Sequence, residues 1–351
     1  MDSIEINGYK SIKHLNIDLR PVNILIGSNG AGKSNFISFF EFLNNLYERK
    51  LQQYVATHGG MAKFLHKGLK ITYGVQAKLT FNNGINHYSF ELGKGDGEFI
   101  FDNEDLGYNG SNWKISSFNT EANIKTNDSL RADYIREHLS NLRKYHFHDT
   151  GKNSPFTELS NIETDSYFLY ETGQNLAAFL YGIREKHSIV YKRIIRVIQS
   201  IAPYFSDFFF QPNENGFLRL TWQDQYSSTV YSAADLSDGT LRFIALTTLF
   251  MQPDLPATII IDEPELGLHP VAIAKLAGMI KSVEQKGTQV IVATQSSDLV
   301  NHFSPEDVIT VDMENGESKF NRLNQETLSV WMEDYALGDL WKRNIIATGQ
   351  P

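Results

Sequence analysis

The sequence predicts an α/β protein: a mainly parallel sheet with helices on both faces, an added antiparallel β-subdomain and a helical lobe. Three observations predict it. Short apolar runs recur at Val22–Ile26, Ala257–Ile261, Gln289–Thr294 and Asp307–Asp312, and each reads as a buried strand. Helical spacing alternates with these runs, the pattern of a parallel sheet covered by helices. Between residues 70 and 120 hairpin patterning takes over, so that stretch reads as a separate antiparallel sheet.

The elements follow in order. Ile4-Glu5-Ile6 reads as a short strand, and Leu15–Leu19 alternates as a second. Val22–Ile26 is the first fully apolar strand, and Asn35–Tyr47 carries Phe36, Ile37, Phe39, Phe40, Leu43, Leu46 and Tyr47 at helical spacing. Val75–Phe81 and Ile85–Leu92 flank Asn82-Asn83-Gly84, a turn that favours positive φ. Strand-like sequence punctuated by Gly and Asn continues to Phe118. Ser129–Lys144 reads as a helix with Asp128 as its cap, and a longer helical region runs from Asn175 to Ile201, stopped by Pro203. Phe217–Tyr231 alternates as strands, and Leu241–Leu249 is a strongly apolar helix. Pro270 opens a last helix through Gln285, closed by Gly287. No internal repeat, low-complexity segment or sustained heptad pattern interrupts the chain.

Between the strand at 22–26 and its helix lies Gly27-Ser28-Asn29-Gly30-Ala31-Gly32-Lys33-Ser34, a Gly-x-x-x-x-Gly-Lys-Ser phosphate loop in its proper strand–loop–helix setting. Its glycines let the backbone curl so that successive N–H groups point at one spot, and the helix N-terminus adds the positive end of its dipole. Lys33 is the residue to neutralise β/γ-phosphate charge, and the Ser34 hydroxyl the one to ligate Mg²⁺. Asn29, Gly30, Ala31, Gly32, Lys33, Ser34 and Asn35 form the expected ATP-binding set. The run Ile259-Ile260-Ile261-Asp262-Glu263 is an apolar strand ending in two acids, the Walker B pattern. Asp262 is expected at the carboxyl end of the sheet as the second Mg²⁺ ligand, and Glu263 is suited to polarise a water for attack on the γ-phosphate.

Composition bounds the rest. The 351 residues, 41% hydrophobic with 23 Phe and 16 Tyr, suit a well-packed globule. Net charge is −9, which argues against a broadly basic surface for coating nucleic acid and leaves room for a local basic groove. Cysteine is absent, which removes disulfides and thiolate metal sites. No apolar stretch is long enough for a membrane helix, and Met1-Asp2-Ser3 does not begin a signal peptide, so a cytoplasmic protein without membrane association is expected.

Several segments together resemble the RecF-, OLD- and SMC-like branch of ATP-binding-cassette ATPases, and within it the compact stand-alone bacterial "predicted ATPase" group of AAA-family proteins. They are Gly8-Tyr9-Lys10-Ser11-Ile12, the loop Gly27–Asn35, Phe64–Gly68, Tyr145–Thr150, Leu236–Arg242, Ile261–Pro270 and Ala336–Trp341. The resemblance covers nearly the whole chain. It implies a single two-lobed cassette-type head over 1–351: a first lobe about 1–150, a helical and signature lobe about 151–250, and a last segment about 251–351 completing the core sheet. It further implies a homodimer, or a higher even oligomer, closed around ATP. Leu236-Ser237-Asp238-Gly239-Thr240 stands where such proteins carry their signature, so Ser237, Asp238 and Gly239 are expected to act in trans on the partner's γ-phosphate. Read alone, Ser237 would be a helix N-cap. Gly267 and His269 fall in the loop that lines the dimer interface in relatives.

Two departures stand out. Relatives often carry a His after the strand that follows Walker B; this chain has Ala293-Thr294-Gln295-Ser296. Gln295 can donate a hydrogen bond but cannot carry a proton, so slow turnover is expected. The tail Ile346–Pro351 lacks the Gly-Gly-Arg-Pro ending of relatives. The segment from Thr150 to Asp235 leaves no room for an SMC-type coiled coil, and no Asn-Lys-x-Asp loop is found, which favours ATP over GTP.

Other features carry less. His146, His148 and Asp149 are too few ligands for a metal site; by position in the family they belong to the loop that links the lobes and senses the γ-phosphate. Arg184, Lys186, Lys192, Arg193 and Arg196 give the second helical region a basic side, either a solvated face or a weak nucleic-acid contact. Phe208-Phe209-Phe210 reads as core rather than a base-stacking platform. The resemblance favours an Mg²⁺-dependent ATPase switch in bacterial anti-phage defence, controlling a separate effector, often a nuclease. A RecF-like DNA repair ATPase and an ATP-binding scaffold with negligible turnover are the alternatives.

Overall fold

The computed structural model describes residues 1–346; the last five residues of the tail, 347–351, lie outside it, and with them the expected departure at Ala347–Pro351. The chain divides into two compact units. The first comprises 1–142, 257–260 and 289 onward; the second comprises 143–256 and 261–288.

The first unit holds a six-stranded antiparallel sheet in the order Ile12–Asp18, Ser3–Tyr9, Val75–Phe81, Asn86–Lys94, Phe99–Tyr108, Ser111–Ser116. The expected hairpin is present: Val75 pairs with Leu92 and Phe81 with Asn86, and Asn82, Asn83 and Gly84 all have positive φ. The sheet is larger than the 70–120 patterning indicated, because Ser3–Tyr9 pairs with Val75–Phe81 and brings Ile12–Asp18 with it. That pairing joins residues some seventy positions apart, beyond the reach of local periodicity.

A second six-stranded sheet runs in the order Glu317–Arg322, Val308–Glu314, Val22–Ile26, Gln289–Ala293, Thr258–Asp262, Leu142–Tyr145. Val22–Ile26, buried at every position, is parallel to both Gln289–Ala293 and Val308–Glu314. Glu317–Arg322 is a strand the periodicity missed; it folds back antiparallel from Val308–Glu314 through Asn315-Gly316, both at positive φ. The helix Lys33–Tyr47 buries Phe36, Phe39, Phe40, Phe42, Leu43 and Leu46. Tyr9 meets Phe39 edge-on at 5.2 Å between ring centroids, so this core ties the phosphate-loop helix to the first strand.

Ser129–Lys144 is corrected on two counts. The helix spans Leu130–Ser140 with Ser129 as its cap, accepting from the Ala132 N–H, and Asp128 does not cap it. Leu142–Tyr145 is then an edge strand, with Leu142 and Tyr145 buried.

In the second unit, the 175–201 region is two helices, Leu176–Lys186 and Ser188–Gln199. They are broken at His187, whose φ of −135° and ψ of 54° no helix accepts. The 217–231 stretch yields only Phe217–Leu218, Thr221–Asp224 and Val230–Ser232, because turns interrupt it. The helix Asp238–Met251 is buried at every residue from Leu241 to Phe250, and Pro270–Glu284 ends near Gly287 as its Pro and Gly signals indicated.

Candidate nucleotide site

Val22–Ile26 runs straight into the loop at Gly27. The loop is built from the backbone up. Gly32 caps the helix at φ 115°, and a Cβ there would run into Ser318 Oγ, so both conformation and space demand glycine. Ser318 is buried, and its Oγ lies 2.7 Å from both the Ala31 carbonyl and Ser11 Oγ. A hydroxyl carries one proton, so Ser318 donates to one of these two acceptors at a time. Ser11 Oγ in turn accepts from Asn35 Nδ2 at 2.7 Å. This relay pins the crown of the loop to the strand Glu317–Arg322 and to the turn between Ser3–Tyr9 and Ile12–Asp18.

Lys33 is 6% exposed, and its ammonium donates to the Gly27 carbonyl at 2.7 Å and the Ser28 carbonyl at 3.0 Å. The charge is therefore folded back over the loop it would serve. Asn29, Gly30 and Ser34 are exposed at the surface of the loop. A glycine cradle, a lysine turned onto it and an exposed serine suit a polyphosphate with Mg²⁺, whose ligands are hard oxygens. Gln295 is exposed and follows the strand Gln289–Ala293, whose Ala293 pairs with Leu25. It therefore leaves the sheet at the same end as Gly27. One residue from Ser318, the Glu317 carboxylate gathers Lys13 at 3.0 Å, Lys319 at 3.3 Å and Lys67 at 3.6 Å. The Lys13 hydrogen bond, reinforced by Lys319, holds Glu317 at about 2, so it stays ionised at any working pH.

In the second unit, Asp262 and Glu263 are half-buried at the end of Thr258–Asp262. Glu263 has φ 42°, a left-handed conformation that a glutamate adopts only under constraint from its surroundings. His148 Nε2 lies 2.9 Å from the Asp262 carbonyl, which makes it the protonated nitrogen, and its ring packs on His146 with centroids 4.3 Å apart. Through that bond His148 braces the strand end; among the described residues no group of three potential metal-binding His, Cys, Asp or Glu side chains occurs.

Ser237 is exposed and caps Asp238–Met251, its Oγ accepting from the Thr240 N–H at 3.2 Å. The capping role and an exposed hydroxyl coexist at this residue. Gly239 approaches Gly267 so closely that a Cβ on Gly239 would strike the Gly267 carbonyl. His269 caps the helix at Pro270, accepting from the Val271 N–H. The structure thus brings together the 27–35 loop with Gln295 in one unit, and Ser237–Gly239 with Gly267 in the other. Sequence reasoning missed the bracing roles of Ser11 and Ser318. Ser11 sits inside a family-like segment that gives it no role of its own, and nothing local marks Ser318.

Comparison with known proteins agrees with this reading. Residues 22–301 match the protein-family model described as "AAA domain, putative AbiEii toxin, Type IV TA system". The Old nuclease of Escherichia phage P2 is 22% identical over 349 residues, covering 85% of this chain and 57% of the phage protein. The chain thus spans little more than half the length of that relative. The energy-coupling factor transporter ATP-binding protein EcfA of Methanocaldococcus jannaschii is 36% identical over 66 residues, 18% of this chain and 23% of that protein. Among solved structures, an SMC head bound to the C-terminal winged-helix domain of ScpA superposes with a TM-score of 0.64 at 16% identity, covering 94% of this chain and 99% of that one. The SMC head of Pyrococcus furiosus gives 0.59 at 16% identity, over 95% and 98%. At that identity the likeness establishes the fold: an SMC-head-like α/β architecture of the cassette-ATPase type. With four-fifths of its length inside the matched region, the chain belongs to this AAA-domain family and is a P-loop ATPase of the ABC, SMC and OLD kind.

Proposed function

We propose that the chain is an Mg²⁺-dependent ATPase that turns over slowly and acts as a nucleotide-gated switch. The braced 27–34 loop carries the reading: a buried lysine and a glycine cradle held by the Asn35–Ser11–Ser318 relay have one economical use, the grip of a polyphosphate. Asn29 to Gly32 and Asn35 offer N–H groups and an amide, and Lys33 offers charge. Ser34 and Asp262 are the residues that would hold a magnesium ion. The metal, when bound, spreads the charge of the β- and γ-phosphate oxygens. Glu263 orients a water and takes its proton, while Gln295 donates a hydrogen bond where it cannot donate a proton.

Ser237, Asp238 and Gly239 serve the nucleotide held by a partner copy, with Gly267 and His269 at the interface. The assembly is a homodimer or a higher even oligomer, and residues 1–351 act as one head. The biological role is that of the sensor ATPase of a bacterial anti-phage system working through a separate effector, a nuclease being the leading type. Two things support that: the toxin–antitoxin description of the family and the nuclease name of the phage relative. The proposed site of action is the cytoplasm; no helix among the described residues is long and apolar enough to cross a membrane.

Phosphate release together with ATP binding tests the core of the reading. Wild type should hydrolyse ATP below about 1 s⁻¹, the slow end for enzymes, and Lys33→Ala should lose tight ATP binding. Wild-type affinity in Lys33→Ala would remove the site assignment, and absent turnover in wild type would leave only a binding scaffold.

A further inference from the structure

Arg242 lies five residues after Ser237 on the helix Asp238–Met251 and is 4% exposed. Each of its three guanidinium nitrogens meets a main-chain carbonyl. Nε donates to Phe147 at 2.9 Å, Nη2 to His148 at 3.0 Å, and Nη1 to Leu266. A buried cation is a costly filler, and a Met or Leu would pack such a space at lower cost. The planar fork does what no aliphatic side chain can: it holds three acceptors in one fixed geometry.

The acceptors are informative. Leu266 lies three residues beyond Glu263, and His148 bonds through its own ring to the carbonyl of Asp262, one residue before it. Glu263, at φ 42°, is therefore held between two anchored carbonyls, and both anchors lead to Arg242. On the other side Gly267 touches the signature turn at Gly239, and a Cβ on Gly267 would lie 3.1 Å from Arg242 Nη1.

We infer that Arg242 is a positioning residue that makes the signature turn and the loop carrying Glu263 move as one piece. Resting on the ATPase reading above, this links two nucleotides: Glu263 serves the subunit's own ATP, Ser237 the partner's. A change at one site then reaches the other through a single side chain in each copy.

Arg242→Lys keeps the charge and loses the fork; Arg242→Gln removes both. Hydrogen exchange on the variants without nucleotide reads the coupling directly. The 237–240 and 262–267 amides should lose protection together in Arg242→Lys, with the 27–35 amides unchanged. In turnover, kcat should fall about 100-fold, the usual result of a misplaced catalytic group, while ATP affinity stays within about threefold. A merely structural arginine would lower melting temperature and leave kcat and affinity unsplit. The inference is overturned if Arg242→Lys leaves both segments protected, loosens only one of them, or turns over at the wild-type rate. Failure of wild type to hydrolyse ATP would count against the ATPase reading, while the exchange experiment would still decide the coupling.

Discussion

At the scale of single residues, the phosphate loop depends on partners far away in sequence. Ser318 reaches the Ala31 carbonyl across 287 positions, and its only sequence trace is a serine in a short exposed-looking strand. The lysine and glycines of the loop were legible because a phosphate cradle needs those residue types at fixed spacing. Ser318 was not legible, because a hydrogen bond to a backbone carbonyl can come from any hydroxyl that the fold delivers. Ser318→Ala would leave the Ala31 carbonyl and the Ser11 hydroxyl without that partner in a buried place, a loss of about 1–3 kcal/mol. Part of that should appear as weaker ATP binding, by roughly tenfold, where 1.4 kcal/mol is the tenfold unit. Isothermal titration on the folded variant measures it. Unchanged affinity with a lowered melting temperature would confine Ser318 to stability.

At the scale of elements, the four buried strands of the central sheet were legible to within about two residues, since a fully buried strand is written as a continuous apolar run, whereas its edge strands Glu317–Arg322 and Leu142–Tyr145 were not. Val22–Ile26 coincides with its expected span. Helix ends fared worse: Ser129 and Asp128 are equally good caps by residue type, and only geometry chose between them. The break at His187 was hidden because apolar spacing continues across it. That break gives Ser188–Gln199 its own direction and a surface stripe in which Ile189, Lys192, Arg193 and Arg196 are exposed. None of these three cations has an ion pair among the described residues, and the helix has no acid. On a chain of net charge −9 this is a local reversal of sign, suited to a weak contact with nucleic-acid phosphates. Binding to a DNA duplex should be weak and fall steeply with salt. Lys192→Ala, Arg193→Ala and Arg196→Ala combined should flatten the log–log salt slope by about 2 to 3, near 0.9 for each phosphate that is no longer neutralised. An unchanged slope in fluorescence anisotropy would assign the stripe to solvent, and tight binding that survives high salt would instead favour the DNA repair reading.

At the scale of the whole molecule, the division of the nucleotide machinery between copies is the decisive issue. In the proposed mechanism Glu263 acts within its own subunit, whereas Ser237 acts only across an interface. Glu263→Gln keeps shape and hydrogen bonding but removes the carboxylate that takes the proton from water. Ser34 and Asp262 remain, so Mg²⁺ and ATP should still bind, hydrolysis should stop after closure, and dimers should accumulate. Ser237→Arg added to that background puts a bulky cation on the exposed cap of Asp238–Met251. Its cap hydrogen bond costs about 1 kcal/mol at most places in a protein, so the fold should survive. ATP should bind each monomer as before, and the dimer should vanish. Light scattering after size-exclusion chromatography, with and without ATP and Mg²⁺, reads both variants. If Glu263→Gln gains no ATP-dependent association, closure around ATP is not how this chain works. If Glu263→Gln associates and Ser237→Arg leaves that association intact, the copies meet through a different face, and Ser237 serves only as the helix cap that its hydrogen bond to Thr240 already makes it.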